Sequence, residues 1–247
     1  MSHLQRIDQY WAALLGCSVL QLNTPFPLVF KTSHKRGITA IKKQAWVVAI
    51  GEGLPHHLGF DFVAVADDPE LSDIEKESRL HKLCSNLNLN SSYGPSILHH
   101  LSEEGLVAQP DIPIQLKVLR EEDESNLQIF KQQFSLSPEY TLTQPDLFPY
   151  AIGCFDGGTL VAVGTTRIWE NTIAEVFLDT LENYRSRGIG RYLGMKITEW
   201  ILANTDWIPQ YDSEVTNAAS LKVAAHLGFC PYGRFFITGS GLMMSAP

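Results

Sequence analysis

The sequence is poor in the features that most readily betray a function. Cysteine is scarce: the four in 247 residues, Cys17, Cys84, Cys154 and Cys230, lie far apart and form no C-x-x-C pair. That argues against a disulfide framework and against a thiolate zinc site. Reduced, buried thiols are expected. No run approaches the roughly 18 to 20 apolar residues that a bilayer-crossing helix needs. The N-terminal "MSHLQRIDQYWAALLGCSVL" has no basic start ahead of a clean apolar stretch, and Asp8 and Gln9 interrupt it. A soluble, cytoplasmic protein with no membrane partner is the expectation. Positive charge is short as well: 19 Lys and Arg against 27 Asp and Glu leave a formal net charge of −8. That balance opposes any general affinity for nucleic acid and fits amine-bearing or cationic small molecules. Internal repeats and low-complexity tracts are absent.

What is present reads as an ordinary globular chain, 45% hydrophobic, long enough for one large or two small domains. "IDQYWAALLG" spaces Ile7, Tyr10, Trp11, Leu14 and Leu15 as a helix that stops at Gly16. "PLVF" and "QAWVVAIG" read as strands. "DDPELSDIEKESRLHKLCSNL" reads as a helix with acids early and bases late, and "YGPSILHHLSEEGL" as a turn leading into a short helix. Pro110 and Pro113 in "VAQPDIPIQ" mark a linker. The boundary near residue 111 divides a smaller α/β domain, 1–110, from a second domain, 111–247. In the second, "IQLKVL" alternates as a strand and "EEDESNLQIFKQQF" follows as an acid-led helix. "YAIGCFDGGTLVAVGTTRI" reads as two strands with a hairpin at "DGG". A third strand, "IAEVFLDT", precedes "GRYLGMKITEWILAN", which sets Leu193, Ile197, Trp200 and Ile201 on one helical face.

Between those last two elements lies "YRSRGIGRYLG", Tyr184 to Gly194. A helix N-terminus exposes backbone N–H groups without intrahelical partners, and glycines let an anion approach them closely. The amides of Arg187, Gly188, Ile189, Gly190, Arg191 and Tyr192 are therefore expected to converge on a pyrophosphate, with Arg185 or Arg187 adding charge-assisted contacts. Two other readings stand beside this one. The glycines could simply make a tight turn flanked by solvated arginines. A dinucleotide fold is also conceivable, with Asp206 18 residues after Gly188. Against it, "LENYR" separates strand from glycines, and few residues remain to build the rest of a parallel sheet.

Here the residues carry a resemblance. "AEVFLDTLENYRSRGIGRYL" resembles motif A of the GNAT superfamily of acyl-CoA N-acyltransferases: Arg or Gln, two variable residues, Gly, one variable residue, then Gly or Ala, met by Arg185, Gly188 and Gly190. "NAASLKVAAHLGF" resembles the family's next helix, with Asn217, Ser220, Val223, Leu227, Gly228 and Phe229 at the family's spacing. The resemblance covers roughly residues 111–247. "QYWAALLGC" and "YGPSILHHL" look like an N-terminal region found ahead of the domain in some bacterial members. The implied fold is α/β (α+β): a mixed, mostly antiparallel sheet with splayed central parallel strands flanked by helices, preceded by the smaller N-terminal domain.

The resemblance implies acetyl-CoA, or another acyl-CoA, as cosubstrate, held where "EVFLDT" and "PQYDSEV" splay apart. The backbone of Leu178, Asp179 and Thr180 would pair with the pantetheine, and an N–H there would receive the oxyanion. Asn217 would bond the pantetheine arm, and Ser220 would face the cofactor or cap its helix. A lysine-like amine, with a pKa near ~10, needs a base. Glu175 is the first choice and Asp179, on the same strand face, the second; either could instead be a solvated strand residue. Where many members have a Tyr acid, this chain has Ala224; a thiolate leaves well enough for catalysis to survive that loss, and Tyr211, Ser220 and Tyr232 are the candidate substitutes.

The pairs His56-His57 and His99-His100 suggest no metal site, since adjacent residues point to different sides and no further ligands accompany them. The tryptophans Trp46, Trp169, Trp200 and Trp207 read as core, though one near the cleft mouth could pack on a substrate. The function implied is N-acetyl transfer to a primary amine of a small molecule. An acyl-CoA-binding module without catalysis, or transfer to a peptide or protein amine, is the alternative, and a homodimer is left open. Residues 1–110 could equally be a degenerate copy of the same fold that shapes the acceptor side.

Overall fold

The computed structural model describes residues 2–32, 37–86, 89, 92–135 and 137–238. In chain order the first elements are α1 (His3–Leu15), α2 (Val19–Leu22), β1 (Leu28–Lys31), β2 (Ile38–Lys42), β3 (Trp46–Ile50), α3 (His57–Ala66), α4 (Asp73–Ser85) and β4 (Ser92–Leu101). They are followed by β5 (Gln115–Val118), α5 (Glu124–Lys131), β6 (Tyr150–Asp156), β7 (Thr159–Trp169), β8 (Ile173–Thr180), α6 (Ile189–Asn204), β9 (Ile208–Glu214), α7 (Ala218–His226) and β10 (Phe229–Thr238). Contacts group the described residues into two compact units. One holds those of 1–98, 213–218 and 231–238; the other holds 99–212 and 219–230.

In the first unit, α1 begins at a capping box between Ser2 and Gln5 and ends at Gly16 in the left-handed conformation, as the glycine stop predicts. Ser72 and Glu75 cap α4 in the same way, so that helix starts after Pro69 rather than at the acids before it. β1 runs parallel to β3, and β2 pairs antiparallel with both β3 and β10. Every residue of β3 is buried, and Trp46, Val48 and Ile50 pack with Leu58, Phe62, Leu80 and Phe236. Helix α3 lies close enough to the sheet that a Cβ on Gly59 would come within 2.4 Å of Val29.

The stretch from Tyr93 departs from expectation, since it forms the strand β4 rather than a turn and short helix. Gly94 explains part of the difference. Its φ is +91°, and a Cβ there would lie 2.5 Å from the Phe235 carbonyl, so the backbone runs hard against β10. Tertiary pairing overrides a local pattern that alternates poorly.

In the second unit the strands lie in the order β9-β8-β7-β6-β5. All neighbours are antiparallel except β8 and β9, which are parallel. Gly157 and Gly158, both at positive φ, make the expected β6–β7 hairpin. One face carries α6 and α7, packed through Leu193, Ile197, Ile201, Ala224 and Leu227. The other buries Leu127 and Phe130 of α5 with Tyr140, Phe148 and Val163. This is the mixed, mostly antiparallel sheet flanked by helices that the sequence implies.

The first unit also holds a buried ionic cluster. Asp8 accepts from Lys43 at 2.6 Å and Tyr232 at 2.7 Å through Oδ1, and from Asn23 at 3.1 Å through Oδ2. Burial pushes the Asp8 carboxyl up, but these three donors outweigh it and hold it below its ordinary 3.8. A carboxylate depressed on folding stabilises the fold above its unfolded pKa, and that contribution fades as pH falls through the folded value. Asp8→Asn should therefore cost about 2 kcal/mol at pH 7, where it leaves Lys43 poorly paired. In urea titrations the gap to wild type should narrow below pH ~4, because protonation then removes the same interaction from the wild type.

Candidate active site

The β8–β9 ladder sets the geometry. It pairs Ile173 with Ile208, Ala174 with Pro209 and Glu175 with Gln210, and goes no further, although β8 continues to Thr180 and β9 to Glu214. The two parallel strands therefore part after Glu175. On its other side β8 stays paired with β7 as far as Thr180. Leu181 N–H donates to the Val161 carbonyl, and hydrogen-bonded pairs in an antiparallel ladder recur every second residue. Asp179, Phe177 and Glu175 thus spend their backbone groups on β7. Val176, Leu178 and Thr180 turn theirs toward β9, and the Glu175–Gln210 bridge takes the Val176 N–H. The first N–H open to the gap is that of Leu178. Of the three backbone positions expected to pair with a ligand, Asp179 is thereby excluded on geometry.

The glycine turn follows directly. Ser186 and Gly188 adopt positive φ, 62° and 82°, and α6 starts at Ile189. None of the N–H groups from Arg187 to Arg191 is claimed by an acceptor among the described residues, whereas that of Tyr192 donates to the Gly188 carbonyl. The open amides therefore stop at Arg191, one short of expectation. The Tyr192 hydroxyl is also engaged, donating to Asp111 at 3.1 Å. A Cβ built on Gly190 would meet only Thr180 Oγ1, at 4.0 Å. The chain's own packing does not require a glycine there, so the space above it can take a phosphate. Arg185 and Arg187 are exposed; their side chains donate to the carbonyls of Thr180 (3.1 Å) and Asn183 (2.7 Å), which fixes the turn. These residues fit a pyrophosphate-bearing molecule.

Glu175 sits where the strands part. It is buried, and its Oε2 accepts from Trp169 Nε1 at 2.6 Å. Burial raises its pKa; the Trp169 donor and the Arg167 charge oppose the rise, and Glu139 adds to it. Asp179 is likewise raised by burial, opposed by the Tyr140 hydroxyl and Arg185. That hydroxyl lies within the carboxylate's electrostatic reach but has no partner in hydrogen-bond geometry. Ser220 on α7 and Tyr211 on β9 share a hydrogen bond of 3.1 Å. Burial lifts the Tyr211 phenol to about 12, with Asp179 and Asp212 adding to the rise.

The structure sorts the three acids offered in place of Ala224. Tyr232 is committed to Asp8 in the first unit, while Tyr211 and Ser220 lie together in the second. Ala224 is fully buried in the α6–α7 cluster. Asn217 is exposed in the turn before α7. His99 Nδ1 meets the Tyr211 carbonyl at 3.2 Å, and no group of three or more potential metal ligands gathers among the described residues. Sequence reasoning missed Arg167, Tyr140 and the Trp169 bond to Glu175. Strand alternation placed Glu175 and Asp179 on one face, but nothing local shows which β7 residue stands opposite.

Residues 119–236 match the family model described as GNAT acetyltransferase. No curated protein matches the sequence. Among solved structures, a Drosophila melanogaster protein shares the fold with a TM-score of 0.50 at 15% identity, covering 95% of this chain and 87% of that one. A GNAT-family acetyltransferase from Colwellia psychrerythraea gives 0.49 at 20% identity over 66% of this chain. This chain spans 62% of the Colwellia chain. A GCN5-related N-acetyltransferase-like protein from Streptococcus suis gives 0.49 at 13% identity, covering 81% of this chain and 82% of that one. No helix among the described residues is long and apolar enough to cross a membrane. The parted strands and the glycine turn both fall inside residues 119–236, the span that matches the GNAT acetyltransferase family, whose members transfer acyl groups from acyl-CoA.

Proposed function

We propose that the protein transfers an acetyl group from acetyl-CoA to a primary amine of a small molecule, with residues 111–247 as the catalytic domain. The observation that carries this reading is the end of the β8–β9 ladder at Glu175–Gln210, beside five open amides at the start of α6. An acyl-CoA supplies an activated thioester; the chain supplies its placement and the proton transfers. The pyrophosphate would rest on the amides from Arg187 to Arg191, with Arg185 and Arg187 as local positive charge. The pantetheine would lie along β8 as an added strand, meeting the backbone of Leu178 and Thr180. The Leu178 N–H is the donor for charge developing on the thioester oxygen. Asn217, carried over from the resemblance, would bond the pantetheine.

Glu175 is the proposed base. An ammonium cannot attack, so one proton must leave the nitrogen first, and a carboxyl raised toward neutrality by burial accepts it better than an exposed one. As the nitrogen–acyl bond forms, the carbon–sulfur bond breaks. The second amine proton balances the thiolate, delivered through Tyr211 and its partner Ser220. Asp179 is the secondary carboxylate, close enough to influence Tyr211.

Two measurements test this. Gly190→Asp should leave the melting temperature within ~2 °C of wild type, since only Thr180 Oγ1 lies within 4.0 Å of an added Cβ, yet weaken CoA binding in calorimetry at least tenfold by setting a negative charge where phosphate should lie. Undiminished affinity would remove the site. Glu175→Gln should lower kcat/KM by about 10²-fold or more. Because the base works only when deprotonated, wild-type activity should rise with pH through a pKa above the ordinary 4.5, and that limb should vanish in the variant. Tyr211→Phe should reduce kcat about tenfold with KM little changed.

A further inference from the structure

Strand β7 carries a cation that the fold leaves largely unserved. Arg167 is 4% exposed, and a guanidinium offers five N–H donors, yet it makes no hydrogen bond to any described residue and its Nε has no partner at all. Its one ion pair, to Glu139, is 3.7 Å long, and that carboxylate side chain is 60% exposed. The guanidinium lies 4.3 Å from the Trp169 ring centroid, which holds it in place but satisfies none of its donors. Buried arginines are normally paired with an anion and hydrogen-bonded.

Neutralising Glu175 does not account for Arg167. The two are direct cross-strand partners, but they form no ion pair, and Glu175 Oε2 is taken by the Trp169 N–H. The unused donors therefore stand one cross-strand step, about 5.5 Å between Cα atoms, from the proposed base. They lie on the strand face shared by Glu175 and Asp179, where the Tyr140 hydroxyl is a second buried polar group without a hydrogen-bond partner. The Glu139 carboxylate already shows that an anion is accommodated beside Arg167, and its exposure leaves it free to give way.

We propose that Arg167 receives a carboxylate of the acceptor, so that the acceptor is a small amine with a carboxylate a few bonds from its nitrogen, an amino acid by chemical class. This rests on the acyltransferase reading for the amine and on Arg167 for the carboxylate. In the transfer the nitrogen–acyl bond forms and the carbon–sulfur bond breaks. One ammonium proton passes to Glu175, and the second ends on the departing thiolate. The carboxylate takes no part in bond making; it sets the nitrogen beside Glu175.

The test has two arms on the full chain. In the first, thiol release from acetyl-CoA is followed with the twenty amino acids and with their carboxamides. The best amino acid should exceed its amide at least tenfold in kcat/KM, and Arg167→Gln should erase that preference mainly through KM. In the second, N-acetyl amino acids and N-acetyl amino acid amides are titrated calorimetrically into the CoA-saturated protein, a readout that needs no turnover. Wild type should bind a carboxylate at least tenfold tighter than its amide, and Glu139→Ala, which removes the internal competitor, should tighten it further. Arg167→Lys, retaining charge without the planar fork, should fall between wild type and Arg167→Gln and guards against a variant that merely fails to fold. Amides equal to carboxylates in both arms would overturn the proposal. So would the absence of carboxylate binding. Carboxylate binding that depends on Arg167, without thiol release from any amine, would uphold the anion site and instead sink the acyltransferase reading.

Discussion

Backbone amides and carbonyls that leave a ladder must find partners elsewhere, and in β8 half of them lose theirs after Glu175. The antiparallel pairing with β7 continues along the same residues, so the strand cannot bend away to hide the exposed edge. It is held straight on one side and opened on the other. That single mismatch creates an edge fit for an extended ligand, aims the Leu178 N–H into the gap, and sets Glu175 at its apex. The turn after β8 then presents a second row of unclaimed amides at the start of α6. In both rows N–H donors lack acceptors among the described residues, which is unusual in a well-packed unit and costly unless water or a ligand serves them.

Packing keeps that edge in place. A Cβ on Gly194 would come within 2.6 Å of Leu227 and 3.0 Å of Leu178, so α6 seats directly on β8 and against α7. Gly190, one turn earlier on the same helix, has open space instead. Two glycines of one helix therefore do different work: one admits a neighbouring side chain, the other borders space that the described residues do not fill. Only the second is expected to tolerate a larger residue without loss of stability.

Much of this was legible in the sequence. Apolar periodicity marked α1 and α6, Asp156-Gly157-Gly158 marked the β6–β7 hairpin, and the glycine turn was marked by chemistry that any anion-binding helix start requires. Register was not legible. Whether Asp179 or Leu178 offers its amide to the gap depends on which residues bond to β7, a nonlocal fact fixed by the Leu181–Val161 bond. The same holds for Arg167, an ordinary strand residue in the sequence that becomes a buried cation only when Glu175 is placed across from it. Strand β4 failed for a related reason: its extended form depends on the close approach of Phe235 to Gly94, which no local propensity encodes.

Net charge is a coarse guide to an acceptor for the same physical reason. An excess of acids over bases speaks about the field far from the surface, which salt screens within about 10 Å. At the apex of the gap the groups are removed from water, where each unmet donor counts for more. There the balance is local: Glu175 and Asp179 raised by burial, with Arg167 stacked on Trp169 and short of acceptors. A purely cationic acceptor would satisfy the carboxylates and leave the guanidinium unserved. A zwitterion answers both at once, because its ammonium and carboxylate, a few bonds apart, can meet a buried carboxylate and a buried guanidinium that stand opposite each other on β8 and β7.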